Sequence, residues 1–222
     1  MRVITIIAAL FIISCTINAQ TDTEFWFGAP DVSSVHGDSP WNGAPIYLHM
    51  TAVYATHVTI SRPADPSFVP LEYDLLPMEH ETVALLDFLS IDLIETYSSA
   101  DLINGMQAKG FKIEADPGEI TVYYELDQYW NRDIFPLKGS NGLGTDFWIS
   151  TQNYWDNGDY SGTAWNGFVI VATENNTTVT INQNDDWQYF AGPALRTITL
   201  DAGETFAFRS LTTNAADHIN EL

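Results

Sequence analysis

Short runs of β-branched and aromatic residues bounded by proline and glycine constrain the fold of this chain more than any other feature. The runs Ile46–Tyr54 and Ala55–Ile60 alternate apolar and polar side chains and end before Pro63, a pattern typical of strands. Further strands are predicted at 71–75, 82–86, 111–115, 120–126, 147–151, 167–173, 177–182, 195–200 and 205–209. Residues 90–106 predict a loop with one short helix at most. The sequence therefore predicts an all-β chain of antiparallel, sandwich-like sheets.

Turn chemistry separates two of these strands. Asp116, Pro117, Gly118 and Glu119 stand between the runs at 111–115 and 120–126, and Pro and Gly suit the fixed and the positive φ values of a tight turn. We expect a β-hairpin here.

The strand pattern also repeats along the chain. Thr51 is followed by a Val-Thr-Ile strand ending at Ile60, and Thr173 by one ending at Ile181, while Glu81-Thr-Val-Ala corresponds to Glu204-Thr-Phe-Ala. The matches keep one order and offsets of 121 to 123 residues. Two related modules in tandem are the simplest interpretation, and chance similarity of short strands is the alternative.

This repeat gives a domain plan. We predict a signal peptide at 1–19, a first β-module at 20–138 and a second at 139–222. The first module continues beyond its Glu81 motif with two more strands, whereas the sequence ends soon after the corresponding motif of the second. The second repeat is therefore expected to be incomplete, in a fragment of a longer parent chain with further domains.

The N-terminus indicates export. Arg2 precedes an apolar run at 3–13, followed by small and polar residues up to Ala19, and this run is shorter than the roughly 20 residues of a membrane span. Cleavage after Ala19 predicts a secreted protein without a transmembrane segment. The alternative is a lipoprotein on the cell surface whose first residue is a lipidated Cys15, the single cysteine.

Charge excludes one class of partner. The chain has 29 Asp and Glu against 8 Lys and Arg, a formal charge of −21, and nucleic-acid binding requires a cationic surface. A cysteine nucleophile and a G-x-S-x-G motif are both missing from the mature sequence, so no catalytic residue is predicted.

Two Asp- and Asn-rich segments are candidates for calcium binding. Asp156, Asp159, Asp185 and Asp186 place carboxylates in predicted loops, and Ca²⁺ prefers such oxygen ligands. The spacing is not that of an EF-hand, and ordinary turns on an acidic surface explain the same residues. We predict no cofactor apart from this calcium hypothesis.

Aromatic residues gather after the middle of the chain. Trp155, Tyr160 and Trp165 are interleaved with Asn, Asp and Gly, a composition that suits sugar binding because sugar faces stack on rings while amides and carboxylates meet hydroxyls. Aromatic side chains that close the end of a sandwich would have the same composition. These three are our ligand-binding candidates, whereas Trp148 is expected to be buried in a strand.

The stretch Asp133–Gln152 joins the two predicted modules. Its apolar side chains and glycines indicate a packed seam, in which the backbone turns tightly at glycine. We expect burial of the apolar members of the set Phe135, Leu137, Gly139, Leu143, Gly144 and Phe147. Exposure of the apolar side chains would favour a binding patch instead.

Several of these motifs resemble a known family. The chain is similar over residues 22–222 to the N-terminal domain shared with the IgGFc-binding protein, on the segments Glu24–Phe27, Val58–Ile60, Ile120–Tyr124, Phe135–Gly139, Gly142–Gly144, Val171–Glu174 and Asn176–Thr180. The resemblance implies an extracellular binding or adhesion module, as found in large surface proteins of gliding bacteria with type IX secretion sorting domains. It implies neither catalytic residues nor binding to an antibody Fc region.

We therefore predict a non-enzymatic extracellular or cell-surface binding or adhesion module of a larger secreted protein, with a protein or a glycan as its partner. The alternative is a carbohydrate-active enzyme or its carbohydrate-binding appendage.

Overall fold

The computed structural model describes residues 21–31, 46–96, 106–128, 131–149, 167–182 and 195–209. The predicted signal peptide and Cys15 lie outside this range. No helix in the described ranges has both the length and the apolar composition needed to cross a membrane.

Fourteen strands and one short helix are described. In chain order they are β1 (Glu24–Phe27), β2 (Ala29–Pro30), β3 (Ile46–Ala52), β4 (Thr56–Ser61), β5 (Leu71–Leu75), β6 (His80–Ala84), α1 (Ile91–Ile94), β7 (Glu95–Thr96), β8 (Phe111–Asp116), β9 (Ile120–Gln128), β10 (Asn131–Pro136), β11 (Gly167–Val171), β12 (Thr177–Asn182), β13 (Leu195–Leu200) and β14 (Thr205–Arg209). Single turns of 3-10 helix occupy Leu85–Asp87 and Gly139–Gly142. The predicted all-β class is confirmed.

Two four-stranded antiparallel sheets form the first β-unit, a sandwich with strand orders β1-β8-β4-β5 and β10-β9-β3-β6. Alternate side chains of β3 and β4 are buried, as expected for strands with one face on a core. Both sheets contribute to one apolar cluster, and its largest fully buried side chains include Phe25, Phe111 and Tyr124.

The predicted hairpin at Asp116–Glu119 is wrong. Strand β8 pairs with β1 and β4, whereas β9 pairs with β3 and β10. The turn therefore carries the chain from one sheet to the other. Strands β8 and β9 belong to different sheets, and both sheets pack on the same core.

The second β-unit has the strand pairs β11-β14 and β12-β13 around a smaller core that includes Ile181, Leu200, Phe206 and Phe208. The first unit contains the same two pairings, β3 with β6 and β4 with β5. Strands β12 and β13 lie at the predicted residues, whereas residues 147–149 form no strand.

The structural correspondence between the units differs by two residues from the sequence match at two strands, because Ala172 corresponds to Ala52 and Thr205 to His80. Met78 and Gly203 both have positive φ, 63° and 82°. The Met78 amide donates a hydrogen bond to the Ala52 carbonyl, and the Gly203 amide donates one to the Ala172 carbonyl. Glu204 therefore corresponds to Glu79 rather than to Glu81. A division of the whole chain into two tandem modules stays a prediction.

Candidate functional site

The predicted ligand residues fall outside the described part of the chain. This applies to Trp155, Tyr160 and Trp165, and to the calcium candidates Asp156, Asp159, Asp185 and Asp186. Among the residues that the structure does describe, no group of three or more His, Cys, Asp or Glu side chains is arranged to hold a metal ion. Both hypotheses therefore stay predictions.

The first part of the connecting stretch packs on the first β-unit. Leu137 is buried in the large core, and the half-buried Phe135 ring lies 5.0 Å from the Tyr124 ring. Gly139 is buried at φ 55°, and a Cβ there would lie 2.5 Å from Asp22. These residues complete the first sandwich.

The expected burial of the later residues is wrong. Leu143 is 45% exposed, Phe147 63% and Trp148 90%. The tip of the Phe147 ring lies beside Gly144, with its Cζ 3.3 Å from where a Cβ would stand. Residues 143–149 form no strand and pair with none in the described part of the chain. Their side chains therefore have no sheet to pack against.

The two β-units meet elsewhere, at a surface that we call the base of the first unit, residues 62–64 and 106–110. Gln107 forms an antiparallel bridge with Thr205, with N–O distances of 2.9 and 2.8 Å. The Thr205 hydroxyl accepts a hydrogen bond from Thr96 at 3.0 Å and donates one to the Gln107 carbonyl at 3.1 Å. Both threonines are fully buried, so the contact is tight and polar.

Two buried cations hold the base in place. Arg62 donates to the Ala108 carbonyl at 2.5 Å and lies over the Phe111 ring, while Lys109 donates to the Glu95 carbonyl at 2.7 Å. Burial lowers the pKa of Lys109 to about 8, because the charged ammonium is less well solvated there than in water.

Four exposed apolar side chains lie at the opposite end of the first unit. We call this end the first tip; it consists of the turns 53–55 and 76–79. Val53 is 40% exposed, Tyr54 70%, Leu76 66% and Met78 76%. The two turns are joined because the Met78 amide donates to the Ala52 carbonyl at 2.8 Å. The four side chains therefore belong to one surface.

Hydrogen bonds fix the backbone of the first tip. The Glu79 carboxylate accepts from the Leu76 amide at 2.6 Å, and the Glu79 amide donates to the Leu76 carbonyl at 3.0 Å. This closes the turn on which Leu76 and Met78 stand, so the backbone beneath them is fixed before any partner binds.

The second unit has the same turn with different side chains. In the second tip, turns 173–176 and 201–204, the Glu204 carboxylate accepts from the Asp201 amide at 2.7 Å. Asp201, Ala202 and Gly203 replace Leu76, Pro77 and Met78. Gly203 is buried, and its carbonyl accepts from the Gly110 amide of the base at 3.0 Å.

Acidic side chains surround the first tip. The segments 53–55, 74–80 and 116–119 contain Asp74, Glu79, Asp116 and Glu119 but no Lys or Arg. Gly118 lies beside the first tip, since a Cβ there would be 3.6 Å from Thr56. The turn that contains Asp116 and Glu119 therefore borders the apolar surface.

His57 lies beside Asp74 of this acidic group. Its Nδ1 lies 2.7 Å from Asp74 and its Nε2 2.5 Å from Glu72. Hydrogen bonds to Asp74 and then to Glu72 raise the pKa of His57, because both carboxylates favour the imidazolium. Protonation of His57 thus reduces the negative charge beside the first tip.

The first tip was not found from the sequence, although a signal was present. Apolar residues continue past β3 into Val53-Tyr54 and past β5 into Leu76-Pro77-Met78, where sandwich turns usually contain Asn, Asp and Gly. The second tip has that usual composition, with Asn175, Asn176 and Gly203.

Comparison with known proteins gives one match. No curated protein and no solved structure matches the chain. A family model described as IgGFc binding protein matches residues 134–219, a range that runs from β10 through the connecting stretch and the second β-unit. The resemblance is thus supported for this part of the chain, which is similar to a binding-type domain.

Proposed function

We propose that this protein is a non-enzymatic extracellular or cell-surface binding module that contacts a protein partner through the first tip. The observation that carries the proposal is the exposure of Leu76 and Met78 on a hydrogen-bonded turn, together with the exposure of Tyr54 on the adjoining turn. Exposed apolar clusters of this kind are typical of protein interaction sites.

Two further observations support a binding role. The family match over residues 134–219 is to a protein named for binding. In addition, the second unit covers the base of the first unit, whereas the apolar side chains of the first tip at the other end are exposed. We also propose that the chain is part of a large surface protein with a type IX secretion sorting domain.

Selection from a phage-displayed library of random peptides tests this function. The purified chain serves as bait, and peptides that also bind the triple variant Tyr54→Ser/Leu76→Ser/Met78→Ser are removed. We expect peptides that bind the wild type alone. Circular dichroism of the variant checks its fold, which should be retained because all three side chains are exposed.

A second variant addresses the aromatic candidates. Trp155→Ala/Tyr160→Ala/Trp165→Ala is tested with the same library and with a glycan array. Peptides lost only in this variant, or glycans bound by the wild type and not by it, would move the binding site away from the first tip and contradict the proposal.

A further inference from the structure

We propose that the first tip recognises a cationic protein segment, in which Lys or Arg side chains flank apolar ones. This inference rests on the proposed binding function and specifies the chemistry of the partner. It follows from the apolar surface, the charges around it and the comparison with the second tip.

The apolar surface can hold aliphatic or aromatic side chains. Tyr54, Leu76 and Met78 are each exposed over more than half of their surface. Burial of apolar area contributes about 25 cal/mol per Å² before the costs of association. Methionine adapts to partners of different shape, and the fixed turn beneath it reduces the ordering cost.

The acidic side chains near the first tip favour a partner with positive charge. Asp116 and Glu119 are exposed in the turn beside the apolar side chains, and the segments 53–55, 74–80 and 116–119 contain no Lys or Arg. Charged groups at the rim of an interface favour partners of opposite charge and repel those of the same charge. With a formal charge of −21 on the chain, an acidic peptide or an anionic lipid surface is repelled.

The second tip argues against the base of a further copy of this chain as the occupant. Gly203 docks on the base with its carbonyl bonded to Gly110, and a Cβ at Gly203 would lie 2.8 Å from the Ala64 amide nitrogen. Met78 stands at the corresponding position, so its side chain would collide with the base in the same arrangement. The first tip is therefore suited to a different surface.

Two matched peptide libraries test the charge. Both carry the same randomised apolar core, flanked by Lys in one and by Glu in the other, and both are applied to the purified chain. We expect binding from the Lys-flanked library alone. For the selected peptides, Asp116→Asn/Glu119→Gln should weaken binding about fivefold at low salt, an order-of-magnitude figure for two rim charges.

Asp87→Asn is the control for the loss of an acidic side chain far from the first tip. Asp87 is exposed after β6, at the opposite end of the first unit, so its removal should change the affinity of the selected peptides by less than about twofold, since distant exposed charges are screened.

The outcomes separate the two proposals. Equal binding of both libraries, lost in the Tyr54→Ser/Leu76→Ser/Met78→Ser variant, would overturn the cationic partner and leave the binding function intact. Failure of both libraries would count against protein binding at the first tip. Co-sedimentation with phosphatidylcholine vesicles, lost in the triple variant, would replace the protein partner by a membrane surface.

Discussion

The first and second tips have the same backbone turn and opposite surroundings. In each, a glutamate carboxylate accepts from the amide three residues earlier, and a residue with positive φ bonds to the neighbouring strand end. Gly203 at this position is buried against the base, whereas Met78 is exposed.

The comparison shows how one residue type decides what a shared turn geometry can contact. Without a Cβ, Gly203 brings its backbone against Gly110 and Ala64. A methionine at the same position instead extends apolar surface away from the turn. The first tip therefore has a side-chain surface where the second tip has close backbone packing.

The largest expected effect is on stability, from alanine at these two positions. Gly203→Ala should lower the free energy of unfolding by about 2–4 kcal/mol, because positive φ strains alanine and its Cβ would lie 2.8 Å from a backbone nitrogen. Chemical denaturation measures the change.

Met78→Ala is the matched control. It places the same residue in the same turn at a position whose side chain is exposed, so we expect a change below about 0.5 kcal/mol. Equal losses in the two variants would mean that the second tip is not docked on the base.

A second prediction concerns pH and Lys109. Its pKa is about 8 in the folded chain against an ordinary value of 10.5, so between these pH values the unfolded chain holds more protons and stability rises with pH. Relative to Lys109→Met, the wild type should gain at most about 1.4 kcal/mol per pH unit. Chemical denaturation at pH values of about 7.5, about 8.5 and about 9.5 spans this window and measures the gain.

The pH dependence of this stability difference tests whether Lys109 is buried. A difference between the wild type and Lys109→Met that stays constant over this range would show that Lys109 is solvated. The base would then be looser than the bond from Lys109 to the Glu95 carbonyl implies.

A third and smaller effect is expected at the buried threonines. Thr205→Val removes the hydroxyl that accepts from Thr96 and donates to Gln107, and should cost about 1–2 kcal/mol. The double variant Thr96→Val/Thr205→Val should cost less stability than the sum of the single variants. The two hydroxyls share one hydrogen bond, which each single variant already removes. Additive losses would show that the two hydroxyls do not interact.

The smallest effect is a shift in titration beside the first tip. The pKa of His57 should lie above its ordinary value of 6.5, because Asp74 and Glu72 stabilise the protonated ring. In the second unit Thr178, Thr199 and Thr197 stand in the places of His57, Asp74 and Glu72. These threonines do not titrate, so the second unit has no corresponding change of charge with pH. NMR titration of the His57 ring gives the midpoint, and Asp74→Asn should lower it.

The folded state gains the full stability from this group only below the unfolded pKa of His57, and loses it as the pH rises through the folded pKa. A midpoint at or below 6.5 in the wild type, the ordinary value for histidine, would mean that the two carboxylates do not hold the ring.

The sequence was informative where a local pattern has one solution. Alternation in β5, β12 and β13 predicted those strands at their observed residues, because one face of a half-buried strand must be apolar. The same rule failed at Phe147 and Trp148, which were predicted to lie in a strand but meet no sheet in the described structure.

What the sequence determined by itself is therefore the all-β class, most strand positions and the acidic charge, since each depends on residue type and spacing along the chain. Only the tertiary structure decided that the turn at Asp116–Glu119 crosses between sheets, that Gly203 docks on the base and that Val53, Tyr54, Leu76 and Met78 share one exposed surface. These properties depend on which strands pair across long separations, and alternation leaves that pairing open because every half-buried strand presents the same pattern to any partner.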